Sequence, residues 1–188
     1  MVAKFIKSAY NDADWINDQT TEIAFIGRSN VGKSSLINAL ANKKIAITSK
    51  TPGRTQLANF YDFGKYRIID LPGYGYAKAN KAKKVDLIKV IDNIFSNRHN
   101  VFTFFQICDA NIITEEDVNM HKYLTKKFAN CFVVLNKVDK NNYKLYLSKL
   151  DQIAEYLNIN KENLILVSAK TKQNIGLLKQ KIEKILKF

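Results

Sequence analysis

Proline is nearly absent from this chain (two residues) and glycine is scarce (seven), so most of its 188 residues can belong to uninterrupted regular elements. The two cysteines, Cys108 and Cys131, lie in or beside apolar runs, and neither has a second Cys or His at zinc-finger spacing. That excludes a disulfide framework and a structural zinc site, and both residues read as buried thiols. His99 and His121 stand isolated and read as surface or packing residues. No apolar run approaches the roughly 18 residues of a membrane span. The stretch from Met1 to Asp18 mixes apolar, polar and acidic residues, unlike a secretory signal or a transit peptide. The expectation is a cytoplasmic protein without a membrane partner.

Acidic residues are also few, 17 against 30 basic ones, and the imbalance is local. Between Ile23 and Val85 twelve Lys and Arg face only Asp62 and Asp70, whereas the rest of the chain is close to balanced. Such a pattern points to a face that meets polyanions, not to general solubility. For the Lys-rich outer faces of the last helices, including Lys179, Lys181, Lys184 and Lys187, solvation is the simpler reading.

Apolar, β-rich runs recur at Ile23–Ile26, Leu57–Phe63, Tyr66–Ile69, Val101–Cys108, Cys131–Leu135 and Leu164–Val167. Helical spacing fills most of the intervals, at Ser34–Ala41, Val85–Phe95, Thr114–Phe128, Tyr143–Leu157 and Ile175–Leu186. Thr114 and Asp117 form a capping-box pattern at the third of these. Continuous apolar strands alternating with helices predict one α/β domain, a mostly parallel central sheet with helices on both faces. No repeat or low-complexity linker divides the chain.

Both prolines and five of the glycines fall in three short loops. The first, Gly27 to Ser34, fits G-x-x-x-x-G-K-[ST] between a strand and a helix. Its backbone amides can wrap phosphates, Lys33 can neutralise the β- and γ-phosphates, and the Ser34 hydroxyl can ligate Mg²⁺. The second, Asp70 to Gly73, ends a strand at the edge where open α/β sheets bind ligands. There Asp70 can hold the Mg²⁺ shell and the Gly73 amide can donate to the γ-phosphate. A further motif, Asn136-Lys137-Val138-Asp139, follows another strand. Guanine presents two donors, N1–H and the 2-amino group, and the Asp139 carboxylate can accept both. The Lys137 stem can lie over the ring, and Asn136 can tie this loop to the first. After the next strand, Ser168-Ala169-Lys170 offers a backbone amide to guanine O6. Four elements in this order, each at the carboxyl end of a strand, predict a GTP/GDP site. An ATP site would lack a use for Asp139.

With these residues in view, the chain resembles the EngB family of ribosome-associated GTPases. The likeness is carried by GRSNVGKSSLINAL (Gly27–Leu40), TSKTPGRTQ (Thr48–Gln56) and DLPGYGYAK (Asp70–Lys78). It spans essentially the whole chain, residues 1–188, as a lead-in strand segment over 1–21 and a GTPase domain over 22–188. The resemblance implies that Thr55 ligates Mg²⁺ and senses the γ-phosphate, acting with Lys33 and Gly73 in hydrolysis. It completes the nucleotide set with Asn30, Val31, Gly32, Ser35 and Arg54 beside the residues already named. It also implies a role in assembly of the large ribosomal subunit. Lys43, Lys44, Lys50 and Arg54 around one loop, and Lys78, Lys81, Lys83 and Lys84 after the next, would then meet rRNA, the protein acting as a monomer.

Two departures from the family pattern stand out. Asp109-Ala110-Asn111-Ile112 replaces an Asp-x-Arg-His sequence, and a tryptophan is missing from Lys81–Asp92. Both are expected to matter at partner surfaces and not for nucleotide chemistry. Where related switches carry a water-orienting glutamine, this chain has Tyr74, so slow intrinsic hydrolysis is expected. Asn30 occupies the position of a K⁺ ligand in relatives that use that ion, and can equally serve only to cap its loop. A GTP-gated RNA-binding module with negligible hydrolysis is the alternative reading.

Overall fold

The computed structural model describes residues 2–9, 14–48, 58–75, 81–128 and 130–187, with the backbone alone at 81–86 and 95. Lys50, Arg54, Thr55 and Lys78 therefore lie outside the described residues, as do the side chains of Lys81, Lys83 and Lys84.

Seven strands form one sheet: β1 (Lys4–Ala9), β2 (Glu22–Gly27), β3 (Ala58–Asp62), β4 (Arg67–Asp70), β5 (Val101–Asp109), β6 (Cys131–Asn136) and β7 (Leu164–Leu166). Their order across it is β1-β3-β4-β2-β5-β6-β7. From β4 through β7 all neighbours are parallel, while β3 runs antiparallel to both β4 and β1. The lead-in segment thus contributes an edge strand, Lys4–Ala9, to the same sheet. No span among the described residues is a helix long and apolar enough to cross a membrane.

The central strand shows why the sheet needs two covers. Along β2, Ile23 and Phe25 pack on one side with Leu36 and Ile37 of α1 (Lys33–Ala41) and Leu178 and Ile182 of α5 (Ile175–Ile185). Ala24 and Ile26 face the other way, toward Leu87 and Ile91 of α2 (Lys81–Asn97) and Leu124 of α3 (Glu115–Lys127). A third cluster joins Val133 and Leu135 of β6 to Tyr146 and Leu157 of α4 (Tyr143–Leu157). Period-2 alternation in a strand sends successive side chains to opposite faces, so an uninterrupted apolar run demands helices on both. Each fully buried Phe or Ile here contributes about 2 kcal/mol of transfer free energy.

Helix α2 begins at Lys81, one turn before the Val85 start that apolar spacing predicts. Its first residues, Lys-Ala-Lys-Lys, are good helix formers with no apolar face, so periodicity is blind to them. Cys108 and Cys131 are free and buried, as their apolar surroundings imply.

The placement of α1 and α2 on opposite faces makes β2 the switch point of the sheet. The loops after β2 and β4 consequently diverge and leave a crevice at the carboxyl ends of the strands. At the other end, Glu22, the first residue of β2, is fully buried between Arg67 Nη1 (2.7 Å) and Arg98 Nη2 (2.5 Å). Arg67 also pairs with Asp18 at 2.7 Å, and Arg98 lies 4.8 Å from the Trp15 ring centre. The Arg67 guanidinium draws the Asp18 carboxyl down to about 2.

Candidate functional site

The loop between β2 and α1 is built from positions that tolerate left-handed backbone. Asn30 has φ 67° and Gly32 φ 98°, and Gly32 is the residue immediately before the helix. A Cβ on Gly32 would stand 2.5 Å from Asn136 Nδ2, so this position is closed to other residues by both conformation and contact. The first helical amides consequently face an open space, where the helix dipole favours an anion.

Lys33 is buried and turns back to donate from Nζ to Gly27 O (3.2 Å). Burial depresses its affinity for a proton, and the charge of Asp70 opposes that shift. Asp70, at the end of β4, is pushed up to about 6 by burial, against the pull of Lys33. Its Oδ1 is buried without a hydrogen-bond partner. An orphaned carboxylate oxygen beside the first turn of α1, which carries the Ser34 hydroxyl, suits a hard divalent cation that takes oxygen ligands. The expected pair of Mg²⁺ ligands, Ser34 and Asp70, therefore fits that ion, while Thr55 lies outside the described residues.

Gly73 packs against the first loop, where a Cβ would come within 3.0 Å of Ser29 Oγ and 3.3 Å of Gly27 O. Beyond it, Tyr74 continues the sheet as a parallel bridge to Arg28. Ser29 N donates to Tyr74 O (3.0 Å) and Tyr74 N to Gly27 O (3.3 Å). The Tyr74 side chain is buried, not directed to the crevice, and its hydroxyl donates to Asp117 Oδ1 at 3.0 Å. Burial raises its pKa well above the ordinary tyrosine value.

The loops after β6 and β7 converge from the other side. Asn136 spans the site: Nδ2 donates to Val31 O (2.9 Å) and Oδ1 accepts from Ala169 N (3.0 Å). Lys137, in left-handed backbone with φ 69°, donates from Nζ to Asn30 O at 2.7 Å. Asp139 Oδ1 accepts from Ser168 Oγ (2.5 Å), which fixes its carboxylate toward the cavity it lines. That cavity, of about 700 Å³, is walled by Gly32, Ser35, Asn136, Lys137, Asp139, Ala169 and Lys170. Three separate sequence motifs thus share one space. Of the remaining expected residues, Gly27, Asn30, Val31 and Ser168 make the contacts above, Lys33, Asp70 and Gly73 gather at the loop after β2, and Ser34 stands in the first turn of α1. Lys43 and Lys44 also line the cavity, beside Lys140 and Lys172.

Three supporting residues escaped the sequence reading. Asp109 Oδ2 holds Lys137 Nζ at 2.8 Å, and Asn111 binds both Asp109 and Lys137 O. Asn111, which departs from the family pattern, thus braces the Asn136–Asp139 loop together with Asp109. An acid ending a strand was the available signal, the same one that marks Asp70. Asn38 accepts from Ile45 N and Ala46 N and donates to Ala46 O, folding the Lys43–Lys44 loop back over α1. Nothing local in the sequence announces that role.

A sheet that switches at β2, with the G-x-x-x-x-G-K-S loop at that switch and the Asn136–Asp139 and Ser168–Lys170 loops meeting it around one cavity, has the arrangement of a P-loop GTPase. The comparisons agree. The family described as 50S ribosome-binding GTPase matches residues 22–137. A probable GTP-binding protein EngB of Malacoplasma penetrans is 53% identical over 182 residues, covering 97% of this chain and 98% of that protein. The crystal structure of a probable GTP-binding protein EngB superposes with a TM-score of 0.73 at 27% identity, covering 89% of this chain and 99% of that one. Era, solved with MgGDPNP and nucleotides 1506–1542 of 16S ribosomal RNA, shares the fold at TM-score 0.68 and 23% identity, covering 90% of this chain and 57% of that one. The chain belongs to the EngB family of GTP-binding proteins.

Proposed function

We propose that this GTPase is a switch that binds the assembling large ribosomal subunit in its GTP form and is needed for that particle's maturation. The supporting observation is where the cationic charge stands: Lys43, Lys44, Lys140 and Lys172 are among the residues that line the cavity, with Asp139 the acid among them. A cationic surface of this kind suits a phosphate backbone. The family's description, 50S ribosome-binding GTPase, points the same way.

In this reading the Lys33 ammonium offsets charge that grows on the β,γ-bridging region, and the amides of Val31 to Ser35 hold the phosphates in line. Ser34 and Asp70, with Thr55 as the resemblance implies, would hold Mg²⁺, which would supply positive charge to offset the negative charge of the phosphates. The Gly73 amide registers the γ-phosphate, and the family resemblance adds Arg54 and Thr55 to the residues that bind the nucleotide. Asp139 accepts from N1–H and the 2-amino group of guanine, with Lys137 over the ring and the Ala169–Lys170 backbone toward O6. Asn30, exposed and left-handed, offers its side chain to K⁺. Because Tyr74 is buried and engaged, no glutamine-like group orients water from that position, and intrinsic hydrolysis is slow until the ribosomal partner accelerates it. The same burial favours a second reading, a GTP-gated RNA-binding module in which turnover matters little. The protein works as a cytoplasmic monomer and as one domain over its whole length.

Sedimentation with purified large subunits tests this, comparing GDP with a non-hydrolysable GTP analogue in K⁺ buffer. Analogue-dependent binding that weakens with salt is the expected result, and equal or absent binding in both states overturns the ribosomal role. Stimulated turnover on the particle separates the switch from the binding module. Replacing K⁺ by Na⁺, with Asn30→Ala alongside, tests the monovalent site: equal rates in both salts remove it.

A further inference from the structure

A carboxylate far from the nucleotide motifs holds two of them together. Asp117 sits in the first turn of α3 and is completely buried. Its Oδ2 accepts from Thr114 N (2.9 Å) and Thr114 Oγ (3.1 Å), the local contacts of a helix cap. Capping needs no burial, and a carboxylate taken from water costs several kcal/mol unless charged or multiple donors compensate. Here they come from a distance. Arg28 Nε, 89 positions away, reaches Oδ1 and Oδ2 at 3.1 and 3.0 Å. The Tyr74 hydroxyl, 43 positions away, reaches Oδ1 at 3.0 Å.

Those two donors flank the reacting end of the site. Arg28 follows Gly27 in the phosphate loop, and Tyr74 follows Gly73. Arg28 is secured further by Nη2 donating to Ile112 O at 2.7 Å, and the Tyr74 hydroxyl accepts from Gln106 Nε2 at 2.8 Å. Gln106 in turn donates to Asp117 O (2.8 Å), and its Oε1 lies 3.1 Å from His121 Nδ1. The segment leaving this anchor is equally confined. Gly75 turns with φ 79°, and a Cβ there would meet Glu116 Oε2 at 2.6 Å and Arg28 Cγ and Cδ at 2.9 Å. The N-terminal turn of α3 and the phosphate loop therefore grip residues 73–75 from two sides.

We propose that Asp117 is a positioning residue for GTP hydrolysis: by binding Arg28 and Tyr74 at once it holds the Gly73 amide at a fixed station over the phosphate loop. Gly73 has no side chain of its own to anchor, so its placement is delegated to the next residue. The tyrosine at the position of a water-orienting glutamine then has a task, which is to be the handle. This inference rests on the nucleotide roles given above for Gly73 and the phosphate loop, and not on the ribosomal role.

The test uses the full chain, with Tyr74→Phe and Asp117→Asn singly and together, and Thr114→Val as a cap-only control. Fluorescent GDP and a non-hydrolysable GTP analogue are titrated, single-turnover hydrolysis is timed, and thermal unfolding is followed. A charge-assisted hydrogen bond is worth enough that each single variant should lose about tenfold in analogue affinity and in hydrolysis rate, while GDP affinity shifts by less than about threefold. The double variant should be little worse than either single one, because both remove the same coupling. Thr114→Val should lower the unfolding temperature and leave the GDP-to-analogue ratio alone. Equal losses for GDP and analogue, or fully additive losses in the double variant, mean that Asp117 only caps α3, and the proposal fails. Should Asp117→Asn not fold, Tyr74→Phe decides by itself: an unchanged GDP-to-analogue ratio overturns the proposal.

Discussion

The two ends of the central sheet treat buried charge in opposite ways. At the amino ends of β2 and β4, Glu22 receives two arginines, Arg67 shares itself between Glu22 and Asp18, and Trp15 covers Arg98. Nearly every polar atom is spent there, with Arg67 Nε the one left over among the buried atoms of that cluster. At the carboxyl ends, Lys33 makes do with a backbone carbonyl and Asp70 keeps an oxygen without a partner. The carboxyl pKa values record the contrast: Asp18 is drawn down to about 2 by a guanidinium, Asp70 is pushed up to about 6 by burial. One end uses its charges to hold the fold, and the other keeps them available for a ligand that brings charges of its own. An unsatisfied buried group is costly, so the free oxygen of Asp70 suits a site whose ligand supplies the missing partner.

That contrast can be broken most severely at the ligand end. Lys33→Ala should cut single-turnover GTP hydrolysis by about a thousandfold, roughly 4 kcal/mol of transition-state stabilisation. Thermal unfolding of the nucleotide-free variant should be unchanged or slightly higher, since a desolvated cation has been removed. A large fall in unfolding temperature would show that Lys33 is a structural residue after all. Its counterpart at the other end behaves in reverse. Glu22→Ala strands two buried guanidinium groups and should cost about 3 kcal/mol in denaturant unfolding. Nucleotide affinity measured well below the unfolding midpoint should be retained, and a selective loss of binding would contradict the division of labour.

A smaller change sharpens the base-reading part. Asp139→Asn replaces an acceptor pair by one acceptor and one donor, leaving a guanine donor unmatched. GTP affinity should fall by about 2 kcal/mol, and xanthosine triphosphate, whose C2 carries an oxygen, should gain relative to it. Competition between the two nucleotides reads the ratio directly, and a preference unmoved by the substitution would remove Asp139 from base recognition.

The smallest effect is in the acid limb of stability, where the two carboxylates pull in opposite senses. Asp70 has its folded value raised, so its contribution is complete below pH 3.8 and is lost as pH rises through about 6. Asp18 has its folded value lowered, so its contribution is present above pH 3.8 and is lost as pH falls through about 2. Asp70→Asn should flatten the stability profile of the nucleotide-free protein between these upper two values, and Asp18→Asn should flatten it only at the acid extreme. Profiles that move in the same pH window would show that the two ends are not electrostatically distinct.

How much of this was legible beforehand differs by kind of contact. Most strands and helices follow from apolar periodicity; α2 begins at Lys81, a turn before its apolar spacing shows, and β1 belongs to none of the apolar runs and was indicated only by the family resemblance. Gly32, Lys33, Asn136 and Asp139 could be named because each stands in a short motif whose backbone conformation and chemistry are local. Asp117 shows the limit. Its spacing from Thr114 announces a cap, while its hold on Arg28 and Tyr74 depends on how α3 is laid against two loops far away in sequence. The same holds for Asp109 beneath Lys137. The residues around Thr55 lie outside the described residues.

Sequence alone therefore determined the class of ligand: which backbone segments can turn around phosphates, and which carboxylate can read a purine edge. These depend on residue type and on neighbours a few positions away. Only the tertiary structure decided which charges are spent on one another and which are kept for the ligand, and that Tyr74 points inward. Those outcomes depend on desolvation and on partners supplied by other strands and helices, and neither exists until the chain has packed.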